Sequence, residues 1–296
     1  MAFPGAGARS ETLRILITGS GGMLGQDLAA CLAARHEVLL LSRSDADITR
    51  SRLIAQAVAS RRPDVVIHAA AFTAVDDCEK NPSLALRVNS KGTRHVALAC
   101  RRIRVPMLYV STDYVFDGEK GSPYLETDEP NPINIYGQSK LEGEEHVREL
   151  VEGSWIVRVS WLFGPLGKNF VRTILERARQ GEALRVVNDQ VGAPTYTVDA
   201  AQTFEQIMER GAPGVYHVTN QGYCSWLEFA REIVAQKGLE GVSISPTSSL
   251  ALGRPAARPK NSCLAENRLT AHGIGPLPHW KDALRRYLSR ESYPAN

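Results

Sequence analysis

In IYGQSKLEGEEHVREL, residues 135–150, a phenol and an amine stand four residues apart, at Tyr136 and Lys140. On a helix that spacing puts both on one face. A nearby ammonium favours phenolate and lowers the tyrosine pKa. Such a phenol can exchange a proton with a carbonyl or a carbinol near neutral pH. The amine can also hold a ribose. The chain has nine tyrosines, and this is its only Y-x-x-x-K. An exposed helix pair satisfies the same spacing, so its meaning depends on its surroundings.

Two further stretches supply those surroundings. VSTDYVFDG (110–118) follows the apolar run VPMLY. In a parallel sheet, ligands sit at the carboxyl ends of strands, where Ser111, Thr112 and Asp113 would emerge. A hydroxyl there can bond a substrate carbonyl or tune the phenol; the same residue types also favour plain turns. ITGSGGMLG (17–25) carries Gly19, Gly22 and Gly25 at a strand-to-helix junction. A pyrophosphate needs bare backbone N–H groups at a helix N-terminus. Glycines there permit the tight bend, the approach of the phosphate and close helix–strand packing.

The end of the second strand bears on the choice of cofactor. An acid there would bond the adenosine ribose and repel a 2′-phosphate. Here the strand ends LLLSRSD, with Ser42 and Arg43 in that place. A guanidinium suits a 2′-phosphate by charge and forked hydrogen bonds. NADPH is favoured, with NADH kept open by Asp45 and Asp47 close by. Asp47 and Ile48 could contact adenine, the acid at its amine and the apolar side chain at its face.

These groups need a scaffold, and the first half of the chain alternates strand and helix. LRILIT (13–18), HEVLLLS (36–42), PDVVIHAAA (63–71), VPMLYVST (105–112) and SWIVRVSWLFG (154–164) read as strands. Segments 22–34, 51–61, 85–103 and 135–150 read as helices by apolar periodicity. The alternation predicts an α/β fold, a Rossmann-type doubly wound parallel sheet with right-handed crossovers. After Gly164 the rhythm degrades. Helices are expected over 169–181, 198–210, 225–238 and 279–290, with strands over 184–190 and 214–220. Ser225 and Glu228 have capping-box spacing, and 241–263 reads as extended loops. The expected division is a dinucleotide-binding domain over 11–164, completed by parts of 196–220. A smaller, interleaved C-terminal lobe over 165–296 would bind mainly substrate.

Composition narrows the class. The 35 basic and 32 acidic residues leave a net charge of +3, too balanced for a nucleic-acid surface. No run approaches the ~18 apolar residues of a membrane span. The first ten or so residues read as a loose tail without a signal-peptide core. Five cysteines without C-x-x-C spacing argue against structural zinc and a disulfide framework, and fit a reducing cytoplasm. His68, in an apolar strand, reads as a hydrogen-bonded core histidine. His272 and His279 lack a third ligand, and no essential metal is expected.

Together the glycine triplet, STDYVFDG and YGQSK resemble the extended short-chain dehydrogenase/reductases. More narrowly, AAAFTAVDDCE (69–79), RVSWLFG (158–164), NDQVGAPTY (188–196) and RPKNSCL (258–264) resemble the dTDP-4-dehydrorhamnose reductase family. The resemblance runs from residue 13 to about 290. It implies NADPH-dependent reduction of the C4 ketone of dTDP-4-dehydro-β-L-rhamnose to dTDP-L-rhamnose, for cell-surface polysaccharide. It implies Tyr136 as proton donor, Lys140 as its partner and Thr112 as the group adjusting its acidity. Thr112 and Asp113 would contact the sugar, with Trp161 against the hexose ring. Met23 and Leu24 would follow the pyrophosphate through their backbone, and Ala69, Ala70 and Ala71 would line the cofactor.

Two other readings stay open. One is a related nucleotide-sugar epimerase or 4-ketoreductase on the same scaffold. The other is a non-catalytic regulatory subunit of a methionine adenosyltransferase, against which the intact Tyr136, Lys140 and Thr112 argue. A homodimer is an open expectation.

Overall fold

The computed structural model describes residues 12–290, so the N-terminal tail lies outside the described residues. The first half runs β1 (Arg14–Thr18), α1 (Met23–Leu32), β2 (Glu37–Leu41), α2 (Ser51–Arg61), β3 (Val65–His68), α3 (Val75–Lys80) and α4 (Pro82–Ala85). A π-helix (Leu86–Gly92) leads into α5 (Thr93–Ile103), then β4 (Met107–Thr112), a 3-10 turn (Asp113–Val115), α6 (Ile135–Leu150) and β5 (Trp155–Val159). There follow β6 (Leu162–Phe163), α7 (Phe170–Arg179), β7 (Leu184–Val187), β8 (Val191–Gly192), β9 (Thr195–Tyr196), α8 (Thr197–Arg210) and β10 (Gly214–Val218). The chain closes with β11 (Cys224–Ser225), α9 (Trp226–Gln236), β12 (Ile244–Thr247), α10 (Ser249–Leu252), α11 (Asn267–Ala271) and α12 (Trp280–Arg290).

Six strands form one sheet in the order β10-β5-β4-β3-β1-β2, every pair parallel. The central strands are apolar and buried because helices cover both faces. Side chains alternate across β1: Ile15 and Ile17 join a core with Leu28 and Phe204, whereas Leu16 joins one with Val66, Val96 and Tyr109. From β1 the chain goes outward to β2, then returns to β3 on the other side. That reversal opens a crevice over the ends of β1 and β3, the usual ligand site of such sheets.

After Gly164 the chain leaves the sheet and comes back. Helix α8 packs on α1, and β10 pairs with β5 as an edge strand. The remaining segments build a second body around Phe163, Ile174, Tyr196, Phe229, Ile233 and Trp280. Small pairs β7–β12, β8–β11 and β6–β9 brace it. The Ser225–Glu228 capping box forms as its spacing predicts. Among the described residues no helix is long and apolar enough to cross a membrane.

Several boundaries differ from expectation for physical reasons. The strand expected over 154–164 stops at Val159; Trp161 takes a left-handed φ of 45°, and Leu162–Phe163 turn away to pair with β9. The strand expected over 63–71 ends at His68, leaving Ala69, Ala70 and Ala71 beyond its end. The segment 241–263 is not all loop: Ile244–Thr247 pairs in parallel with β7. The helix expected over 85–103 begins as a π-helix, a rare form without a pattern of its own in the sequence.

The last helix is tied to α8 by charge. Arg286 on α12 grips the Asp199 carboxylate on α8 at 2.6 and 2.7 Å, and Asn220 donates to the same carboxylate at 2.7 Å. Asp199 is buried, so removing its partner leaves a charge out of water. Arg286→Met is expected to cost about 2–3 kcal/mol in urea unfolding, less than a fully buried pair because the guanidinium is partly exposed. An unchanged urea midpoint would show that the pair holds nothing.

Candidate active site

The glycine turn brings α1 tightly over the end of β1. Gly19 has φ of 71°, its N–H donates to Leu41 O at 3.0 Å, and Gly22 N–H donates to Gly19 O at 2.9 Å. A Cβ at Gly19 would lie 2.6 Å from Ala70 N, and one at Gly25 would lie 2.3 Å from Gly19 O. Gly22 caps α1 without a side chain, so the first N–H groups of the helix stay bare. This turn has the shape and polarity of a pyrophosphate cradle. Leu24 packs into the core, while the half-buried Met23 faces Gly164. Ala69 and Ala70 form the wall against Gly19, with Ala71 next to them.

The loop after β2 is braced by its own acids. Asp45 accepts from Ser42 N at 2.8 Å and from Ser42 Oγ at 2.6 Å. Asp47 accepts from Thr49 N at 2.9 Å and Thr49 Oγ1 at 2.8 Å. Arg43 reaches Asp47 at 3.4 Å but remains 89% exposed. The Ile48 side chain is buried against Gly92 rather than offered as an open face.

Strand ends bring the chemical groups beside this turn. Thr18, His68 and Tyr109 are register neighbours across β1, β3 and β4. Thr18 Oγ1 and Thr93 Oγ1 hold the two ring nitrogens of His68, at 2.6 and 3.1 Å. Burial pushes His68 down to about 3, so it is a neutral core residue, as its apolar strand suggests. Helix α6 starts where Asn134 Oδ1 accepts from Gly137 N at 2.8 Å. Tyr136 stands in its first turn, half-buried, edge-on to Tyr114 with ring centroids 5.8 Å apart. One turn on, Lys140 Nζ donates to Val110 O at 2.6 Å and lies 4.1 Å from the centre of the Tyr109 ring.

That geometry corrects the expectation that Lys140 lowers the Tyr136 pKa. The ammonium turns to Val110 and Tyr109, and burial raises the Tyr136 pKa; the hydrogen bond with Thr112 pulls the other way. Burial also lowers Lys140 to about 7, opposed by Glu144. Burial thus favours the protonated phenol, and the Thr112 hydroxyl acts in the opposite direction.

Asp113 is more enclosed than its place in a loop suggested. It is buried, accepting from Thr112 Oγ1 and Ser160 Oγ at 2.9 Å each. Burial raises its pKa to about 6, against hydrogen bonds from Ser262, Ser160 and Thr112. Ser262 arrives from a segment far along the chain, and nothing in the local sequence of Asp113 announces it.

Trp161 is clamped. Trp226 stacks on it with centroids 3.6 Å apart and 9° between planes. A Cβ at Gly192 would sit 2.5, 2.7 and 2.8 Å from three contiguous indole atoms, which places that glycine over the ring. The indole expected to meet a hexose is thus covered on both faces by Trp226 and Gly192. Asn89 was also missed by sequence reasoning: from the π-helix it bonds both backbone groups of Phe72, at 2.7 and 3.0 Å, and Ser139 Oγ at 3.0 Å.

Among the described residues, His36, Glu205 and Glu209 have metal-like spacing. Arg35 pairs with both glutamates at 3.3 and 2.8 Å, and the group lies at the opposite end of the sheet from the glycine turn.

The Asp113 environment has a pH signature. A carboxyl whose folded pKa is raised stabilises the fold below its unfolded pKa, and that stability is lost as pH rises through the folded value. The stability difference between the parent chain and Asp113→Asn is therefore expected to move against the parent between about pH 4 and pH 6. Paired urea titrations check this; a difference flat over that window would refute the raised pKa.

Comparison with known proteins agrees with the geometry. The chain matches the family described as RmlD substrate binding domain over residues 13–293. It is 42% identical to the dTDP-4-dehydrorhamnose reductase of Streptomyces griseus, over 95% of this chain and 93% of that one. It is 39% identical to the dTDP-4-keto-6-deoxy-D-glucose reductase of Streptomyces niveus, over 92% of this chain and 96% of that one. The crystal structure of dTDP-4-dehydrorhamnose reductase from Bacillus anthracis in complex with NADP superposes with a TM-score of 0.92 at 39% identity, covering 94% of this chain and 99% of that one. With its parallel sheet, glycine turn and Tyr136–Lys140 pair, this chain belongs to the dTDP-4-dehydrorhamnose reductase family.

Proposed function

We propose that this chain reduces the C4 ketone of dTDP-4-dehydro-β-L-rhamnose to dTDP-L-rhamnose with NADPH. The reading rests on one observation: the glycine turn after β1 and the Tyr136–Lys140–Thr112 group beside β4 stand at the same carboxyl end of the parallel sheet, with only β3 between them. The turn fits a dinucleotide, since a side chain at residue 19 or 25 would strike backbone. The nicotinamide supplies hydride. Tyr136, kept protonated by burial, gives its Oη proton to the oxygen that gains charge as the ketone is reduced. Thr112 steadies the phenolate left behind, and Lys140, once turned from Val110 towards the site, would add its charge and hold the ribose. Asp113 and Thr112 hold the sugar. Trp161 borders the hexose, either by its edge or after its stack with Trp226 loosens.

Cofactor contacts follow the same proposal. The backbone of Met23 and Leu24 follows the pyrophosphate, with Gly22 at the helix start. Arg43, swinging from Asp47, would take the 2′-phosphate beside Ser42, Asp47 and the backbone of Ile48 would border the adenine, and Ala69, Ala70 and Ala71 would line the cofactor. Residues 12–164 with α8 and β10 would form the cofactor side, and most of 165–290 the substrate side. The cytoplasm, where the free cysteines stay reduced, is the expected compartment.

A second reading has specific support. A relative of similar identity is named for a different dTDP-linked 4-keto sugar, so the hexose itself is a matter for assay. Purified protein is incubated with dTDP-4-dehydrorhamnose, and separately with dTDP-4-keto-6-deoxy-D-glucose. Loss of reduced-cofactor absorbance is followed with NADPH beside NADH. Faster turnover of the first substrate with NADPH supports the proposal, and turnover of the second alone supports the rival.

Tyr136→Phe is expected to lower kcat by about a thousandfold while leaving NADPH binding nearly intact; parent-like turnover in that variant would remove Tyr136 from its role. Gly19→Ala is expected to weaken NADPH binding at least about tenfold by calorimetry, because a Cβ there meets the backbone of Ala70.

A further inference from the structure

Beneath the Tyr136–Lys140 pair lies a buried ionic group that the proposed chemistry does not use. Glu144 follows Lys140 by one turn of α6 and is fully buried. Arg158 on β5 binds it through two nitrogens, Nε to Oε1 at 2.9 Å and Nη2 to Oε2 at 2.8 Å. Ser111 on β4 donates to Oε1 at 2.6 Å, and Arg148 on α6 donates to Oε2 at 2.7 Å. Arg158 is itself buried, with its guanidinium 5.0 Å from the centre of the Phe116 ring. Lys140 bonds the carbonyl of Val110, the residue next to Ser111 on β4. Two adjacent residues of one strand thus hold successive turns of α6.

Such a group is weak evidence for stability, because apolar residues of similar volume often do as well. Its position suggests another use. We propose that Glu144 is a positioning residue for Tyr136 and Lys140. It pins α6 to β4 and β5, and it sets a negative charge one helical turn from the Lys140 ammonium. Arg158 and Arg148 set how much of that charge Lys140 feels. The proposal rests on the catalytic reading of Tyr136 and Lys140 given above.

The groups facing Lys140 leave this task to Glu144. From β3 comes His68, which burial keeps neutral. From β4 come the Tyr109 ring and the Val110 carbonyl. From its own helix come Tyr136, held protonated, and Glu144, the acid that raises the Lys140 pKa against burial. The neighbouring Asn89 and Thr93 are uncharged.

The two signs of charge make opposite tests. Glu144→Gln keeps the shape, removes the negative charge and leaves both arginines; the Lys140 pKa is expected to fall by about one unit. Arg148→Met removes a half-exposed guanidinium and leaves Arg158 in place; the pKa is expected to rise by about half a unit. Carbon-labelled lysine in the whole protein, followed by NMR and assigned with Lys140→Met, reads both shifts without turnover. The pH profile of kcat should move in the same two directions, because Lys140 serves only when charged. A loosened fold would move both variants one way or lower kcat at every pH alike. Shifts of the same sign, or no shift in Glu144→Gln with α6 intact by amide exchange, overturn the proposal. Should Glu144→Gln not fold, Arg148→Met decides alone, and a fall or no change in its Lys140 pKa overturns the proposal. Opposite shifts in a parent protein without reductase turnover would keep the charge-setting role and overturn the catalytic reading instead.

Discussion

A buried carboxylate between two guanidiniums governs how this site is held. Everything chemical on α6 depends on the rotation and depth of that helix over β4 and β5, and apolar packing alone tolerates small slips of both. The Glu144–Arg158 contact does not, because two parallel N–H···O bonds fix direction as well as distance. Four donors on the carboxylate offset part of the desolvation cost, while Arg158 Nη1 is buried without a hydrogen-bond partner. Tyr136, two turns away on the same rod, inherits that fixed position. Lys140, one turn away, inherits a field as well.

The opposite wall of the cleft is built by exclusion rather than charge. Gly19 and Gly25 leave out atoms that would strike Ala70 and the backbone of Gly19 itself. Helix α1 can then begin almost on top of β1, with its first amides uncovered. The three alanines past β3 continue the same logic of small side chains along the floor. One wall gives bare donors for an anion and the other gives a protonated phenol with a tunable amine. The parallel sheet brings the two together because β1, β3 and β4 all end on one edge.

Much of this was legible in the sequence, for reasons that can be named. The glycine triplet and Y-x-x-x-K are local patterns, and each fixes its geometry within one helix or one turn. The strand–helix rhythm gave the sheet, since both-face burial makes the strands continuous apolar runs. What escaped depends on residues far apart in the chain. Ser160 and Ser262 reach Asp113 across 47 and 149 positions, and no spacing rule spans such gaps. The clamp of Gly192 and Trp226 on Trp161 follows from a strand pair of two residues each. The direction of the Lys140 ammonium was misjudged because spacing places a side chain on a face without saying which neighbour it chooses. The π-helix carrying Asn89 gave no sign, as its residues suit an α-helix equally well.

The return of the chain to the sheet carries a consequence for how the molecule is assembled. Segment 160–196 is spent outside the sheet before α8 and β10 come back to close its edge, and the chain then leaves again. The backbone therefore crosses between the two bodies several times, and neither is a contiguous piece. During synthesis on the ribosome the edge beside β5 stays unpaired until residue 218 has emerged, so an incomplete chain offers an open strand to its neighbours. Gene fragments ending near Gly164 would carry that same open edge permanently, which makes self-association, not a working half-enzyme, their natural fate.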